Sequence, residues 1–323
     1  MKVLVLGGAG MVGRNLAARL LADGELGGQP VEMLTLFDVV PADLHGTGRT
    51  KVESRTGDIS DAETVRALVA DRPEVIFHLA AIVSGEAEAD FDKGYRINLD
   101  GTRNLFEAIR ALGDYLPRVV YTSSIAVFGA PFPEAIGDEF LTAPMTSYGT
   151  QKMIGELLLN DYSRRGIFDG VGIRLPTIVV RPGKPNKAAS GFFSGIIREP
   201  LAGTPAVLPV DDDVRHWVAS PAAATGLLLH AATMDTSTLG ARRNLTMPGL
   251  SVTVGEMIEA LGEVAGPEAV ALIRREPDAT IRAIVAGWPR NFDPARARAF
   301  GFDADASFQD IIRAHIRDTA AAG

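Results

Sequence analysis

The chain has 323 residues, with 32 basic and 40 acidic side chains for a formal charge of −8, and it carries 34 glycines, five histidines and no cysteine. A composition of 46% hydrophobic and 22% charged residues excludes a disordered chain, and the lack of thiols excludes disulfides, Fe–S clusters and thiolate metal sites. The acidic balance argues against nucleic acid as a partner, and no apolar stretch reaches the roughly 18 residues that a membrane helix needs.

The apolar run after Met1 is too short for a signal peptide, so a soluble cytoplasmic enzyme of about two domains is expected. Short Val/Ile/Leu/Phe runs predict strands at 2–6, 33–37, 52–55, 75–79, 119–122 and 172–175. Between them, helical patterns cover 11–22, 62–70, a long stretch near 95–112, and 148–165. This rhythm predicts a Rossmann-type α/β fold, a doubly wound parallel sheet whose strands are buried on both faces. After about Val180 prolines break the chain into short pieces, and helical patterns return at 222–232, 254–264, 279–286 and 308–317. The expected division is a nucleotide-binding domain over 1–180 and a smaller C-terminal substrate lobe over 181–323, with about 205–232 returning to the sheet. The Ala-rich tail over 319–323 reads as a frayed end.

Gly7, Gly10 and Gly13 follow the first strand and open the first helix. Gly7 permits a tight turn, Gly10 lets the backbone approach a pyrophosphate, and Gly13 allows close helix–strand packing. The free amides of the helix start, at Met11 and Val12, would hold the phosphates. Asp38 ends the second strand, where a carboxylate accepts the adenosine ribose hydroxyls and repels a 2′-phosphate. With no arginine directly after it, NAD is favoured over NADP. Asp58 and Ile59 follow the third strand and are placed to bracket the adenine, though Asp58 also suits a turn or a helix cap.

Tyr148 and Lys152 are four residues apart and share one helix face. An ammonium beside a phenol, together with the positive nicotinamide, lowers the phenol's pKa from its reference of roughly 10, which suits it to proton transfer near neutral pH. Upstream, the strand at 119–122 ends in Ser123 and Ser124, where a hydrogen-bond donor to a substrate oxygen belongs. The glycine triplet, His78-Leu79-Ala80-Ala81, Asn98 in Ile97-Asn98-Leu99-Asp100-Gly101-Thr102, Ser123-Ser124-Ile125-Ala126-Val127-Phe128-Gly129 and Tyr148/Lys152 occur in one order over the first 180 residues. Together they resemble the extended short-chain dehydrogenase/reductase superfamily, also called the NAD-dependent epimerase/dehydratase family. The resemblance implies that Tyr148 is the acid/base, that Lys152 tunes it and holds the nicotinamide ribose, and that Ser124 orients the reacting oxygen with Ser123 beside it. It also implies a cofactor site lined by Leu79, Ala80, Ala81 and Asn98, with Pro176, Thr177 and Ile178 against the nicotinamide carboxamide. No metal is expected, and His78 reads as a packed strand residue.

The superfamily spans several reactions. Its dehydratases carry an Asp-Glu pair after the catalytic hydroxyl, where this chain has Ile125 and Ala126, which cannot move protons. Its sugar-nucleotide epimerases show Arg-Asp-Tyr-Ile-His-Val where this chain reads Arg215-His216-Trp217-Val218-Ala219-Ser220, so only the arginine is kept. Arg215 is a candidate substrate contact or, equally, a surface ion pair. From Val171 to Arg198 there is no acid at all but Arg174, Arg181, Lys184, Lys187 and Arg198, and Arg181 or Lys184 suits a substrate carboxylate. Ser84, after the cofactor-lining strand, is placed to meet a substrate hydroxyl. The segments 80–91, 146–152, 175–186 and 248–257 are similar to the sugar-acid dehydrogenases of the superfamily. That similarity implies NAD-dependent oxidation of a four-carbon sugar acid at the hydroxyl next to its carboxylate, by a homodimer paired through the helices near 95–112 and 148–165. A nucleotide-sugar epimerase, an L-threonine-type dehydrogenase and a non-enzymatic NAD(P) sensor are the alternatives. The complete Ser/Tyr/Lys set argues against the sensor.

Overall fold

In a computed structural model, residues 1–46, 48–181 and 190–322 are described. In chain order the elements that matter for the site are β1 (Lys2–Leu6), α1 (Met11–Asp23), β2 (Met33–Asp38), β3 (Lys51–Thr56), α2 (Ala62–Ala70), β4 (Val75–His78) and α3 (Ser84–Ala89). They continue with a π-helical turn (Tyr95–Asp100), α4 (Gly101–Ala111), β5 (Arg118–Ser124), α5 (Ser147–Arg164), β6 (Asp169–Leu175), β7 (Thr177–Ile178) and α6 (Gly191–Leu201). The last are β8 (Arg215–Ala219), α7 (Pro221–Thr233), β9 (Asn244–Thr246), β10 (Leu250–Thr253), α8 (Val254–Ala265) and α9 (Phe308–Ala322).

The chain forms two compact units, both discontinuous in sequence. The first comprises Met1–Val127, Pro144–Leu175 and Thr225–Thr246, and the second Phe128–Ala143, Pro176–Ala224 and Met247–Gly323. The segment that returns to the sheet is thus Thr225–Thr246, later in the chain than the 205–232 read from the sequence. The reason is that β9 pairs with β6 through only three residues, Asn244–Thr246, too short a run to leave a pattern.

In the first unit a seven-stranded sheet runs β9–β6–β5–β4–β1–β2–β3, with every pairing parallel. The chain steps outward from β1 through β2 to β3 and then returns to place β4 on the other side of β1. This reversal creates the switch point at which doubly wound sheets bind ligands, beyond the carboxyl ends of the strands. The architecture is the Rossmann-type sheet. Val3, Leu4, Val5 and Leu6 are all at most 1% exposed, and each buried aliphatic side chain is worth about 1.5–3 kcal/mol. Phe37, Ile76, Phe106, Val119, Tyr121 and Leu159 share a core that joins the strands to the helices around them.

The edge strand departs from the expectation of full burial. β3 carries Lys51, Glu53, Ser54 and Arg55 on half-exposed positions, and its charges protect an open sheet edge. The long helix near 95–112 is two structures, the π-helical turn followed by α4. The tail is helical through Ala322 in α9.

In the second unit β8 is flanked by β7, parallel, and β10, antiparallel. Its core takes Phe193, Ile196 and Ile197 from α6, Met257 and Leu261 from α8, and Ile311 from α9. α6 was not evident in the sequence because Pro200 lies within it. That proline sits in the last turn, so its missing N–H costs only one hydrogen bond. α8 starts with a reciprocal cap, Thr253 Oγ1 accepting from Glu256 N–H at 3.0 Å and Glu256 Oε2 accepting from Thr253 N–H at 2.6 Å.

Candidate active site

The loop after β1 is built by close approach. Gly7 has a φ of +88°, and a Cβ placed there would meet the Ala80 amide nitrogen at 2.8 Å. A Cβ on Gly13 would lie 2.2 Å from the Gly7 carbonyl oxygen. Both positions therefore demand glycine, and the triplet holds β1, α1 and the chain after β4 within van der Waals distance. Leu79 N–H donates to Leu6 O at 2.8 Å, which seats Leu79–Ala81 beside the loop. α1 begins at Met11 with Gly10 as its N-cap, and neither a capping side chain nor an acidic residue occupies the first turn. The early amides, including those of Met11 and Val12, thus face outward with the positive end of the helix dipole. Asp38 Oδ2 accepts from the Ala9 N–H at 3.0 Å and its Oδ1 from the Val39 N–H at 2.7 Å, so the carboxylate is fixed at the rim of the loop. A cradle that any Cβ would fill, an uncapped helix start and a carboxylate at the end of β2 fit a dinucleotide with a free 2′-hydroxyl.

Three of the residues expected as cofactor contacts also hold the surrounding chain. Asp58 Oδ1 accepts from both Ser60 N–H (2.8 Å) and Ser60 Oγ (2.7 Å), while its Oδ2 accepts from Arg96 Nη1 at 2.7 Å. The carboxylate therefore organises the turn before α2, whose own cap is Asp61. The Ile59 side chain is 4% exposed and packs against Gly101. Asn98, in the π-helical turn, accepts from Ile82 N–H at 2.9 Å and donates to Ile82 O at 3.1 Å and to Gln151 Oε1 at 2.8 Å. Its side chain is 2% exposed and clamps the chain after β4.

At the end of β5 the candidate catalytic residues converge. Ser124 Oγ accepts from the Ala126 N–H at 3.1 Å, and Tyr148 stands on the first turn of α5, where the Ser124 hydroxyl acts to lower its phenol's pKa. Lys152, 3% exposed, donates to the Thr122 carbonyl at 2.8 Å, and its ammonium lies 5.8 Å from the Tyr148 ring centroid and 5.0 Å from that of Tyr121. Burial pushes the Tyr148 phenol up to about 12, against the pull of the Ser124 hydroxyl. Burial is the larger of the two influences on this phenol in the chain by itself. Burial also pulls Lys152 down to about 8, with Glu156 opposing. His78 is fully buried, with Nε2 at 2.8 Å from Thr102 Oγ1, and burial holds it at about 3, a neutral packed residue as read from the sequence.

Ser123 does not join Ser124. It is 3% exposed, and its hydroxyl donates to Glu156 at 2.5 Å, because adjacent residues of a strand point to opposite faces. Glu156 also takes a two-point ion pair from Arg174, so this cation is committed as well. Ser84 opens α3 in a partly exposed position.

In the second unit Thr177 Oγ1 lies 2.6 Å from His216 Nε2, and His216 Nδ1 lies 3.1 Å from the Pro289 carbonyl. The carbonyl accepts only from an N–H, so Nδ1 carries the proton and Thr177 donates to Nε2. Pro176 precedes β7, and Ile178 ends it partly buried. Arg215 donates to Ser251 O at 2.9 Å and pairs with Glu256 at 3.3 Å, the ion-pair alternative. Arg198 donates to Arg181 O and pairs with Glu199. Arg181 itself has no carboxylate partner among the described residues, and burial together with Arg198 pulls its pKa below the ordinary value. Lys184 lies outside the described residues. Sequence reasoning passed over Glu156, Gln151, Arg96 and His216. Only Glu156 left a signal, the third member of a four-residue spacing after Tyr148 and Lys152.

A dinucleotide cradle beside a Ser/Tyr/Lys cluster defines an NAD-dependent enzyme, and comparison with known proteins agrees. Residues 3–244 match the NAD dependent epimerase/dehydratase family, and the chain belongs to it. It is 49% identical over the full length of both chains to a D-erythronate dehydrogenase of Cupriavidus necator. It is also 41% identical to a D-erythronate dehydrogenase of Haemophilus influenzae, over 98% of this chain and 99% of that one. A solved structure described as a nucleoside-diphosphate-sugar epimerase from Agrobacterium tumefaciens superimposes with a TM-score of 0.97 at 60% identity, covering 100% of this chain and 95% of that one.

Proposed function

We propose that the protein is an NAD-dependent dehydrogenase that oxidises the 2-hydroxyl of a small sugar acid, D-erythronate, to the 2-oxo acid. The observation that carries this reading is the Lys152 ammonium 5.8 Å from the Tyr148 ring centroid, on the helix face beside the end of β5 where Ser124 stands. Full-length similarity to two D-erythronate dehydrogenases supports the substrate. The first unit binds NAD, with Gly7, Gly10, Met11, Val12, Gly13 and Asp38 as its contacts. Bound NAD supplies the acceptor for the hydride that leaves the substrate carbon.

Ser124 orients the reacting oxygen, and Tyr148 takes the hydroxyl proton. A phenol at about 12 gives little phenolate near neutrality, so the cation beside it is essential. Lys152 supplies that cation below about pH 8. Arg181 or Lys184 holds the substrate carboxylate, since Arg174 and Arg198 of the same stretch are paired with Glu156 and Glu199. Ile125 and Ala126, directly after Ser124, have no group able to expel water, which argues against dehydration. We also infer a cytoplasmic homodimer paired through α4 and α5. Light scattering with size exclusion tests the dimer.

The epimerase reading is kept by the 60% identical neighbour described as such. A panel of aldonates, threonine and UDP-sugars with NAD, followed at the NADH absorbance, separates the two. Net NADH from D-erythronate is expected, whereas an epimerase returns its hydride and shows no net change. Tyr148→Phe and Lys152→Met are expected to lower kcat by about 10²–10⁴-fold. Near wild-type rates in either variant would overturn the Ser/Tyr/Lys assignment.

A further inference from the structure

Below the Ser124/Tyr148/Lys152 cluster lies a carboxylate to which the proposed reaction gives no task. Glu156 is on α5, four residues after Lys152, and 3% exposed. Its Oε1 accepts from Ser123 Oγ at 2.5 Å and from Arg174 Nε at 2.9 Å, and its Oε2 accepts from Arg174 Nη2 at 2.7 Å. Lys152 donates to Thr122 O, the residue before Ser123. Two successive turns of α5 are therefore fastened to two successive residues of β5, immediately before Ser124.

We infer that Glu156 is a positioning residue for the reaction: anchored by Arg174, it holds the end of β5 through Ser123 and supplies the negative charge that keeps Lys152 an ammonium. The inference rests on the roles proposed above for Ser124, Tyr148 and Lys152. Stability alone explains this carboxylate poorly, because a buried ion pair is often no more stabilising than well-packed apolar residues of similar volume. The charge around Lys152 explains it better. Tyr148 and Glu156 face Lys152 from α5, Tyr121 and the Thr122 carbonyl from β5, His78 from β4, and Arg174 from β6 by way of Glu156. His78 stays neutral down to about pH 3, and burial raises Tyr121 well above its ordinary value, so neither is charged near neutrality. Glu156 is the carboxylate that acts on Lys152, and burial has already pulled the amine down to about 8 in its presence.

The test is the pH profile of kcat/KM for D-erythronate oxidation, which reports groups of the free enzyme. Glu156→Gln alone strands the Arg174 guanidinium, so the main variant is the neutral pair E156Q/R174M, with E156Q/R174Q as a second neutral pair. Either pair is expected to move the alkaline fall of the profile down, by less than about one pH unit because the Arg174 cation leaves with the carboxylate and offsets part of its loss. Glu156→Asp with Arg174 retained is expected to restore the wild-type position. An alkaline limb that stays put in a folded neutral pair, whatever the absolute rate, overturns the inference. Lys152→Met separates this from failure of the underlying reading. If it is inactive while the limb stays put, only the role of Glu156 falls; if it retains wild-type rates, the Ser/Tyr/Lys reading falls with it.

Discussion

Replacing Gly13 with alanine is the sharpest probe of the proposed phosphate cradle. The added Cβ would stand 2.2 Å from Gly7 O, 2.9 Å from Gly8 Cα and 3.0 Å from Gly7 C, whereas ordinary contact begins at 3.4 Å. All three neighbours are backbone atoms, so no side chain can rotate away, and α1 must retreat from the loop by more than 1 Å. Overpacking of this kind costs about 1–3 kcal/mol. Carried wholly by cofactor binding, that is roughly a 5- to 150-fold rise in the Kd for NAD. Carried by folding, it lowers Tm. Calorimetric titration with NAD and a thermal melt on the same sample divide the cost between the two. Gly226→Ala is the control, since Gly226 is helical, with nothing within 4 Å of its Cβ position, and alanine there should stabilise by about 0.5–1 kcal/mol. A Gly13→Ala protein that binds NAD within about twofold of wild type and melts at the same temperature would refute the packing argument.

Two further predictions concern charge. Asp38→Ala removes both the tie to Ala9 and the proposed ribose acceptor, so the Kd for NAD should rise about tenfold while NADP is no longer repelled; titration with both cofactors checks this, and unchanged discrimination would count against the assignment. His216 and His78 are buried and neutral, held at about 4 and about 3, whereas an unfolded histidine titrates near about 6.5. Between those values the unfolded chain binds more protons, so their contribution is intact above about pH 6.5 and is lost as pH falls, at about 1.4 kcal/mol per pH unit for each histidine. Urea midpoints across that range measure the slope, His216→Gln should reduce it by one proton, and a flat wild-type curve would contradict the burial of neutral imidazoles.

What was legible in the sequence is what chemistry ties to local spacing. Gly7, Gly10 and Gly13 must be glycines because backbone meets backbone there, and Tyr148 and Lys152 must be four apart to share a helix face. The boundaries of α2 and α5 followed from the same local periodicity. What stayed hidden depends on partners far away in the chain. Ser123 and Ser124 are indistinguishable until strand pairing sends one inward to Glu156. The tie from Asp58 to Arg96, 38 positions later, is likewise absent from any local pattern. The direction of the Tyr148 shift depends on burial, which a spacing rule does not contain. β9 is three residues long and exists only because β6 is there to receive it.

The π-helical turn at Tyr95–Asp100 makes the cofactor side of the fold sensitive to chain length. A π turn holds one more residue than an α turn, and it is this surplus that aims Asn98 at Ile82 and Gln151. Loss of a single residue here would let the helix rewind as α and close the wide turn from which Asn98 reaches Ile82 and Gln151. The Asn98 clamp would then release Ile82 and with it the chain packed against Gly7. This stretch should therefore accept changes of residue far more readily than a change in their number.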